Sequence, residues 1–471
     1  MVLIRLGRLV FIAAVTVSCA AAAEDAAVAA GAQAAVAAPE QQAPAALPEP
    51  ISETLPEPLT LDYALGLIDA PHPNLQAAAA ERDSALAQRD LAASAYGLNA
   101  GVNAEALWSE PADIAFDQSY DDSSAGVYLR KRLYDFGRTR GLVAAAEAQL
   151  NGHASRYADA RLQRGLDILD SYLNVLLADL RFRVQDEAMA IAYVRMDRAN
   201  DRHELGQISD IERFEADTLY QETRSARYLA QAAQRTARVR LALALNRPGQ
   251  LSSDLAEPDL SVADQEPPDL EALLAEVMQA NPHMQALRAE AEAARERIQA
   301  ARALERPIIS GLAEATEYQR ETGDSPPWAV GVQVEVPLFT GGRGSAERAQ
   351  ARAELSRSEA ELAQAQLQLR QSVQSLWEEI QVLRASRDET RTRLDYRELY
   401  LDRSRALYEM EMNADLGDAM VVSSEARLRQ AELDYRLLQN WARLNVLRGR
   451  GLFADNGAGA APAAVEEESQ P

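Results

Sequence analysis

The chain is poor in several residue types, and each shortage excludes something. Of its 471 residues one is cysteine, Cys19, so no disulfide can form within a single chain. One is lysine, Lys131, and the basic side is otherwise arginine. The four histidines, His72, His153, His203 and His283, are scattered without metal-ligand spacing. No glycine-rich phosphate loop occurs. Nothing in this inventory points to an enzyme or implies a cofactor. The net charge of −24 argues against nucleic acid, which needs a basic footprint. Past the N-terminus no apolar run reaches the roughly 18 residues of a membrane helix. A membrane β-barrel stays open, because its strands give a much weaker signal.

Alanine, leucine, glutamate, glutamine and arginine are plentiful, and these are good helix formers, so a mainly helical fold is expected. Arg5 and Arg8 precede an apolar run from Leu9 to Val17 and then small residues, the pattern of a secretory signal peptide over 1–23. Two readings of its end stand side by side. Cys19, in VTVSCA, resembles the lipidated cysteine of bacterial lipoproteins, although Thr16 stands where an aliphatic is usual. Ala21-Ala22-Ala23 fits ordinary cleavage after Ala23. Residues 24–58 are rich in Ala and Pro without apolar periodicity, and 454–471 are acidic; both are expected to be disordered.

The part between reads as a duplication, with repeats at 59–250 and 271–453 joined by a linker at 251–270. Each half runs helix, strand, polar loop, strand, very long helix, turn, helix. His72-Pro73-Asn74-Leu75-Gln76-Ala77 is echoed by Asn281-Pro282-His283-Met284-Gln285-Ala286. Val127–Arg138, VYLRKRLYDFGR, is echoed by Val330–Arg343, VGVQVEVPLFTGGR. Strands are expected at 98–108, 126–134, 308–318 and 328–339. One period of about 200 residues marks a duplicated unit, not a solenoid of short repeats.

Leucines at 162, 169 and 176, and at 166, 173 and 180, form a heptad seam in the first long helix. In the second, Leu355, Leu362, Leu369, Leu376 and Leu383 keep the step, and the next set is Leu394, Leu401 and Tyr408. That interval reads as a four-residue stutter that unwinds the supercoil. Helices of 60–70 residues are on the order of 100 Å long, more than a globular core needs. The helix after each turn is shorter, so two short helices stacked end to end should pair with each long one.

In the fourth strand Val330, Val332, Val334, Val336 and Leu338 share one face, and Gly331, Gln333 and Glu335 the other. In the first, Leu98, Ala100, Val102, Ala104 and Ala106 alternate with Asn99, Gly101, Asn103 and Glu105. Runs of about 9–11 residues suit tilted membrane strands facing lipid and a wet lumen. A half-buried strand of a soluble sheet gives the same alternation. Trp108, Tyr134, Phe136, Tyr318, Trp328 and Phe339 near the strand ends suit interfacial girdles. Four strands cannot close a barrel, so their edges demand oligomerisation.

The signal peptide, the duplicated unit, and the pair Leu133-Tyr134-Asp135-Phe136-Gly137-Arg138 and Val336-Pro337-Leu338-Phe339-Thr340-Gly341-Gly342-Arg343 resemble the TolC family of outer membrane efflux proteins over 59–453. The resemblance implies a homotrimer: an α-helical barrel crossing the periplasm joined to a twelve-stranded outer-membrane β-barrel, four strands per chain, seated in outer membrane lipids. It implies a passive duct for a tripartite efflux pump or type I secretion system. Its partners would be a periplasmic adaptor (membrane fusion) protein and an inner-membrane transporter. The junction residues Gly137, Arg138, Pro337, Gly341, Gly342 and Arg343 would pass the chain from strand to helix. Heptads alone also permit a soluble periplasmic coiled-coil structural or adaptor protein, which membrane fractionation would separate from the channel.

The resemblance also places two hairpin tips. The first contains Leu205, Gly206, Ser209 and Asp210, and the second Asp415, Leu416, Gly417 and Asp418. Leu205, Gly206, Ser209, Leu416 and Gly417 would meet the adaptor. Asp415 and Asp418, three apart on a helix, would ring a pore constriction, with Asp210 nearby. Helix N-capping explains single aspartates equally well. A basic residue that locks the tip in some relatives has no counterpart before Asp415, where Glu411 is acidic. Met189, Met196, Met410 and Met412 read as packing residues. No Met or His cluster points to metal export.

Overall fold

In the computed structural model the described residues are 55–111, 117–250, 252, 254–320, 326–410, 412 and 415–453. The expected signal peptide with Cys19, nearly all of the 24–58 linker, the 454–471 tail and Glu411 lie outside them.

The first half comprises α1 (Leu61–Gly66), α2 (Pro73–Ser94), β1 (Leu98–Glu105), β2 (Ser124–Tyr134), α3 (Arg138–Glu204) and α4 (Asp210–Ala244). The second comprises α5 (Leu270–Ala280), α6 (Pro282–Arg302), β3 (Ile308–Tyr318), β4 (Trp328–Glu335), α7 (Arg343–Glu409) and α8 (Leu416–Leu447). The same local chemistry opens α2 and α6. His72 Nδ1 accepts from Asn74 N–H at 3.3 Å, Asn281 Oδ1 accepts from Met284 N–H at 3.0 Å, and proline follows the cap in both. Proline is preorganised for the first helical position, where its missing N–H removes no helical bond. Helix α5 begins inside the stretch expected to be linker. Asp269 sets its start by accepting from Glu271 and Ala272 N–H, both at 3.1 Å.

Helices α3 and α7 have 67 residues each, about 100 Å at the helical rise. Helix α3 packs against α2 and α4, and α7 against α6 and α8, so two shorter helices flank each long one. The halves are also interleaved, since α6 and α8 pack on α3 as well. Helix α8 is buried on two faces. Tyr435, Leu438, Ala442 and Val446 join a core with Ile168, Leu169, Tyr172 and Leu173 of α3. Leu437, Trp441 and Leu444 join a second core with Val373, Ile380 and Leu383 of α7 and Leu273 and Val277 of α5.

The seam of α7 does not stutter. From Leu369 onward its buried residues Leu369, Val373, Ile380, Leu383, Thr390 and Ser404 fall on two heptad positions, four apart. Leu394 and Leu401 continue the position of Val373 and Ile380. Thr390 and Ser404 occupy the position held by leucine earlier, so the leucine pattern changes partner row while the helix keeps its phase.

The sheet has the order β1-β2-β3-β4, antiparallel throughout, with β1 and β4 as edges. Strand β4 ends at Glu335, short of the expected Phe339, because Pro337 has no N–H for a ladder. Strand β1 ends at Glu105, and Trp108 pairs only through an isolated bridge to Asp121. No helix among the described residues is long and apolar enough to cross a membrane.

Candidate functional site

The strand register sorts the side chains of the sheet into two faces. Ala100, Leu129, Ala313 and Val330 stand in one cross-strand row, and Val102, Val127, Ala315 and Trp328 in the next. The other face carries Asn99, Asn103 and Glu105 from β1, Arg130 and Arg132 from β2, Ser310, Glu314 and Thr316 from β3, and Gln333 and Glu335 from β4. Large apolar residues of the first face are open: Val102 is 77% exposed and Val330 74%. A soluble half-buried sheet would cover that face.

At the first strand-to-helix junction Phe136 (φ 53°) and Gly137 (φ 94°) both take left-handed backbone. The turn is secured by Asp135, which is buried. Its carboxylate accepts from Thr139 N–H at 2.9 Å, from Thr139 Oγ1 and from the Tyr96 hydroxyl at 2.7 Å, with Arg132 3.5 Å away. Burial pushes the Asp135 carboxyl upward, but the Thr139 and Tyr96 hydrogen bonds outweigh it and hold it below the usual carboxylate range. At the second junction Gly341 (φ 60°) and Gly342 (φ 85°) repeat the left-handed pair. No side chain caps α7, and Arg343 pairs with Glu347 one turn on, at 2.5 Å. Arg138 begins α3, and its N–H donates to Asp135 O at 3.2 Å.

The tips lie at the far ends of the long helices. Helix α3 stops at Leu205, Gly206 takes φ 66°, and Ser209 opens α4 with a capping box closed by Glu212. Asp210 lies 2.8 Å from His203 Nε2, across its own hairpin. In the second tip Asp415 caps α8, its carboxylate accepting from Asp418 N–H at 3.3 Å. Leu416 starts α8, and at Gly417 a Cβ would come 2.8 Å from Ile191 of α3, so glycine permits the close approach. One turn below, Arg195 of α3 takes both aspartates: its Nη2 lies 3.0 Å from Asp415 Oδ1 and pairs with Asp418 as well. The hydrogen bond from Asp418 holds the Asp415 carboxyl down. Burial and the Asp415 neighbour push the Asp418 carboxyl up, so Asp418 takes a proton first as pH falls.

Arg195, 220 residues before Asp415, supplies the second tip with a basic partner where Glu411 in the sequence is acidic. It ends an antiparallel polar ladder between α3 and α8. Asp170 meets Arg443 at 3.0 Å, Arg181 meets Glu432 at 2.7 Å, and Glu187 accepts from Ser424 at 2.5 Å. Asp210 stays with His203, and Met410 and Met412 are exposed rather than packed. Among the described residues no cluster of three His, Cys, Asp or Glu side chains fit to hold a metal occurs.

A small sheet with an open apolar face and two free edges, carried by paired helices of about 100 Å, defines the class of outer-membrane channels with a helical extension. The chain belongs to the outer membrane efflux protein family, whose model matches residues 65–247 and 273–450. That family consists of efflux channels, not enzymes, and the soluble coiled-coil alternative is not favoured. The fold is shared with a membrane protein from Pseudomonas aeruginosa (TM-score 0.69, 20% identity, 83% of this chain and 90% of that one). It is shared with the outer membrane protein VceC of Vibrio cholerae (0.66, 18%, 83% and 97%). It is also shared with the CmeC outer membrane channel of Campylobacter jejuni (0.68, 14%, 83% and 85%). No curated protein matches by sequence.

Proposed function

We propose that three copies of the chain assemble into a passive export duct, with the sheet in the outer membrane and the helices extending into the periplasm. The carrying observation is the sheet: one largely apolar face, open at Val102, Val127, Leu129 and Val330, and two free edges that a single chain cannot pair. Three sheets joined edge to edge give twelve strands and leave no edge. The tips at Leu205–Ser209 and Leu416–Gly417 then meet a periplasmic adaptor, and an inner-membrane transporter supplies the energy. Such a duct serves either a tripartite efflux pump or a type I secretion system, and an identified adaptor separates the two.

Particle shape in detergent tests this reading. A trimer with a rod on the order of 100 Å beyond the micelle is expected. A monomer recovered wholly from the soluble periplasm overturns it.

Asp415 and Asp418 serve as the constriction, with Arg195 as its restraint. The ion pairs are solvent-exposed, and such pairs contribute roughly 0.2–1 kcal/mol each. That strength suits a closure that must open when a partner docks. Asp415→Asn with Asp418→Asn is expected to lower cation selectivity in a planar bilayer. Unchanged selectivity and unchanged block by multivalent cations would reject the pore role.

A further inference from the structure

We propose that Lys131 binds the phosphate of a phospholipid headgroup in the leaflet nearest the helices. The proposal rests on the reading that the sheet lies in a bilayer.

Lys131 is the only lysine in the chain. It lies in β2, opposite Leu98 of β1 and Gly311 of β3, in the rows of the apolar face. Leu129 and Leu133 flank it along the strand, and Ala100, Ile309 and Ala313 are its diagonal neighbours. It is exposed and makes no ion pair among the described residues. No carboxylate of the sheet can reach it. Glu105, Glu314 and Glu335 lie in the rows of the opposite face. Glu317 shares its face but stands six residues beyond Gly311, about 20 Å along the strand. Closing the barrel adds no acid. The β4 edge that a second copy lays beside β1 presents Trp328, Val330, Val332 and Val334 on this face. Among the described residues neither this sheet nor its neighbouring copy supplies the cation with an anion.

Its height on the sheet identifies that anion. Strand β2 ends at Tyr134, three residues away, about 10 Å along the strand. Tyr134 and Phe136 pack edge to face there, 4.7 Å apart, as a rim. A basic residue on a lipid-facing strand costs about 2–4 kcal/mol at the bilayer midplane and about 0–1 kcal/mol near the interface. From this level a lysine stem lies along apolar surface and carries its ammonium to the headgroups. There it meets phosphate as a compact, strongly hydrated point charge.

Native mass spectrometry of the full-length trimer, extracted with phosphatidylglycerol present, tests this. Wild type is expected to retain the lipid about tenfold better than Lys131→Gln, which is about 1.4 kcal/mol, while Lys131→Arg keeps most of it. As a second reading, Lys131 is the only ε-amine in the chain, so its labelling by a soluble amine-reactive ester is read on a single peptide. It is expected to label more slowly in phosphatidylglycerol nanodiscs than in discs of a phosphate-free galactolipid. Equal lipid retention by wild type and Lys131→Gln, both forming conducting trimers, overturns the proposal and leaves the channel reading intact. Failure of wild type itself to insert into bilayers overturns both.

Discussion

The two strand-to-helix junctions share a backbone turn and differ in what secures it. Both place two consecutive left-handed residues before a 67-residue helix, Phe136-Gly137 in one and Gly341-Gly342 in the other. The first uses a bulky residue where glycine is favoured and holds it with chemistry: a buried Asp135 tied to Thr139 and Tyr96, and a Tyr134–Phe136 ring contact. The second uses glycine twice, needs no such anchor, and leaves Leu338 and Phe339 93% and 91% exposed. The first junction is tied down by contacts within one chain, whereas the second leaves its apolar side chains uncovered.

The strongest way to break this contrast is Asp135→Ala, which leaves the buried Thr139 donors and the Tyr96 hydroxyl without their acceptor, while Arg132 keeps its hydrogen bond to Thr139 Oγ1 at 3.0 Å. A loss of about 2–3 kcal/mol is expected, read by thermal or denaturant unfolding of the detergent-solubilised protein. The pH dependence follows from the direction of the shift. Because the folded Asp135 carboxyl is held low, its contribution is complete above the ordinary carboxylate range, about 4. That contribution is lost as pH falls through the lowered value. The gap between wild type and Asp135→Ala is therefore expected to shrink on going from pH 7 to pH 3.

Gly341→Ala and Gly342→Ala are expected to cost about 1 kcal/mol each, the penalty for a Cβ in left-handed backbone. Phe136→Gly sharpens the comparison. Relief at φ 53° offsets the lost Tyr134 contact, and the melting temperature is expected to stay near wild type. At the opposite end Arg195→Ala removes exposed ion pairs. Stability is expected to change by less than about 1 kcal/mol, while resting conductance in a planar bilayer rises. An unchanged conductance would mean that the tip is held without this arginine. Arg343→Ala carries the smallest effect, a melting temperature indistinguishable from wild type, because its pair with Glu347 is a solvent-exposed i,i+4 contact.

Most of the fold was legible in the sequence because both periodicities are strong. Alternation located four strands, and leucine heptads located α3 and α7. The misreadings have local causes. The apparent stutter arose because Thr390 and Ser404 occupy core positions that a search for leucine passes over. Strand β4 was drawn through Pro337 because valine and leucine continue the alternation past the last ladder bond. The tip was harder still. Arg195 looks like any arginine of a polar helix, and only the antiparallel packing of α8 on α3 brings it to Asp415 and Asp418. Asp135 reads as one more polar residue of a turn motif, and one of its hydrogen bonds comes from Tyr96, 39 residues away.

Near mid-chain, Leu59 and Leu255 form a parallel bridge, with Leu59 N–H bonded to Asp254 O and Ala256 N–H bonded to Leu59 O, each at 2.9 Å. The Tyr172 hydroxyl lies against both segments, 2.8 Å from Leu59 O and 2.5 Å from Ala256 O. The entrances to the two repeats are thus laid side by side on the same helix. A protease nick just before Asp254 would leave Leu59 on one fragment and Leu255 on the other, so each holds its end of the pair. Protein cut there is expected to co-purify as two complementing fragments, so the duplicated halves behave as a split protein whose covalent link is dispensable once folded.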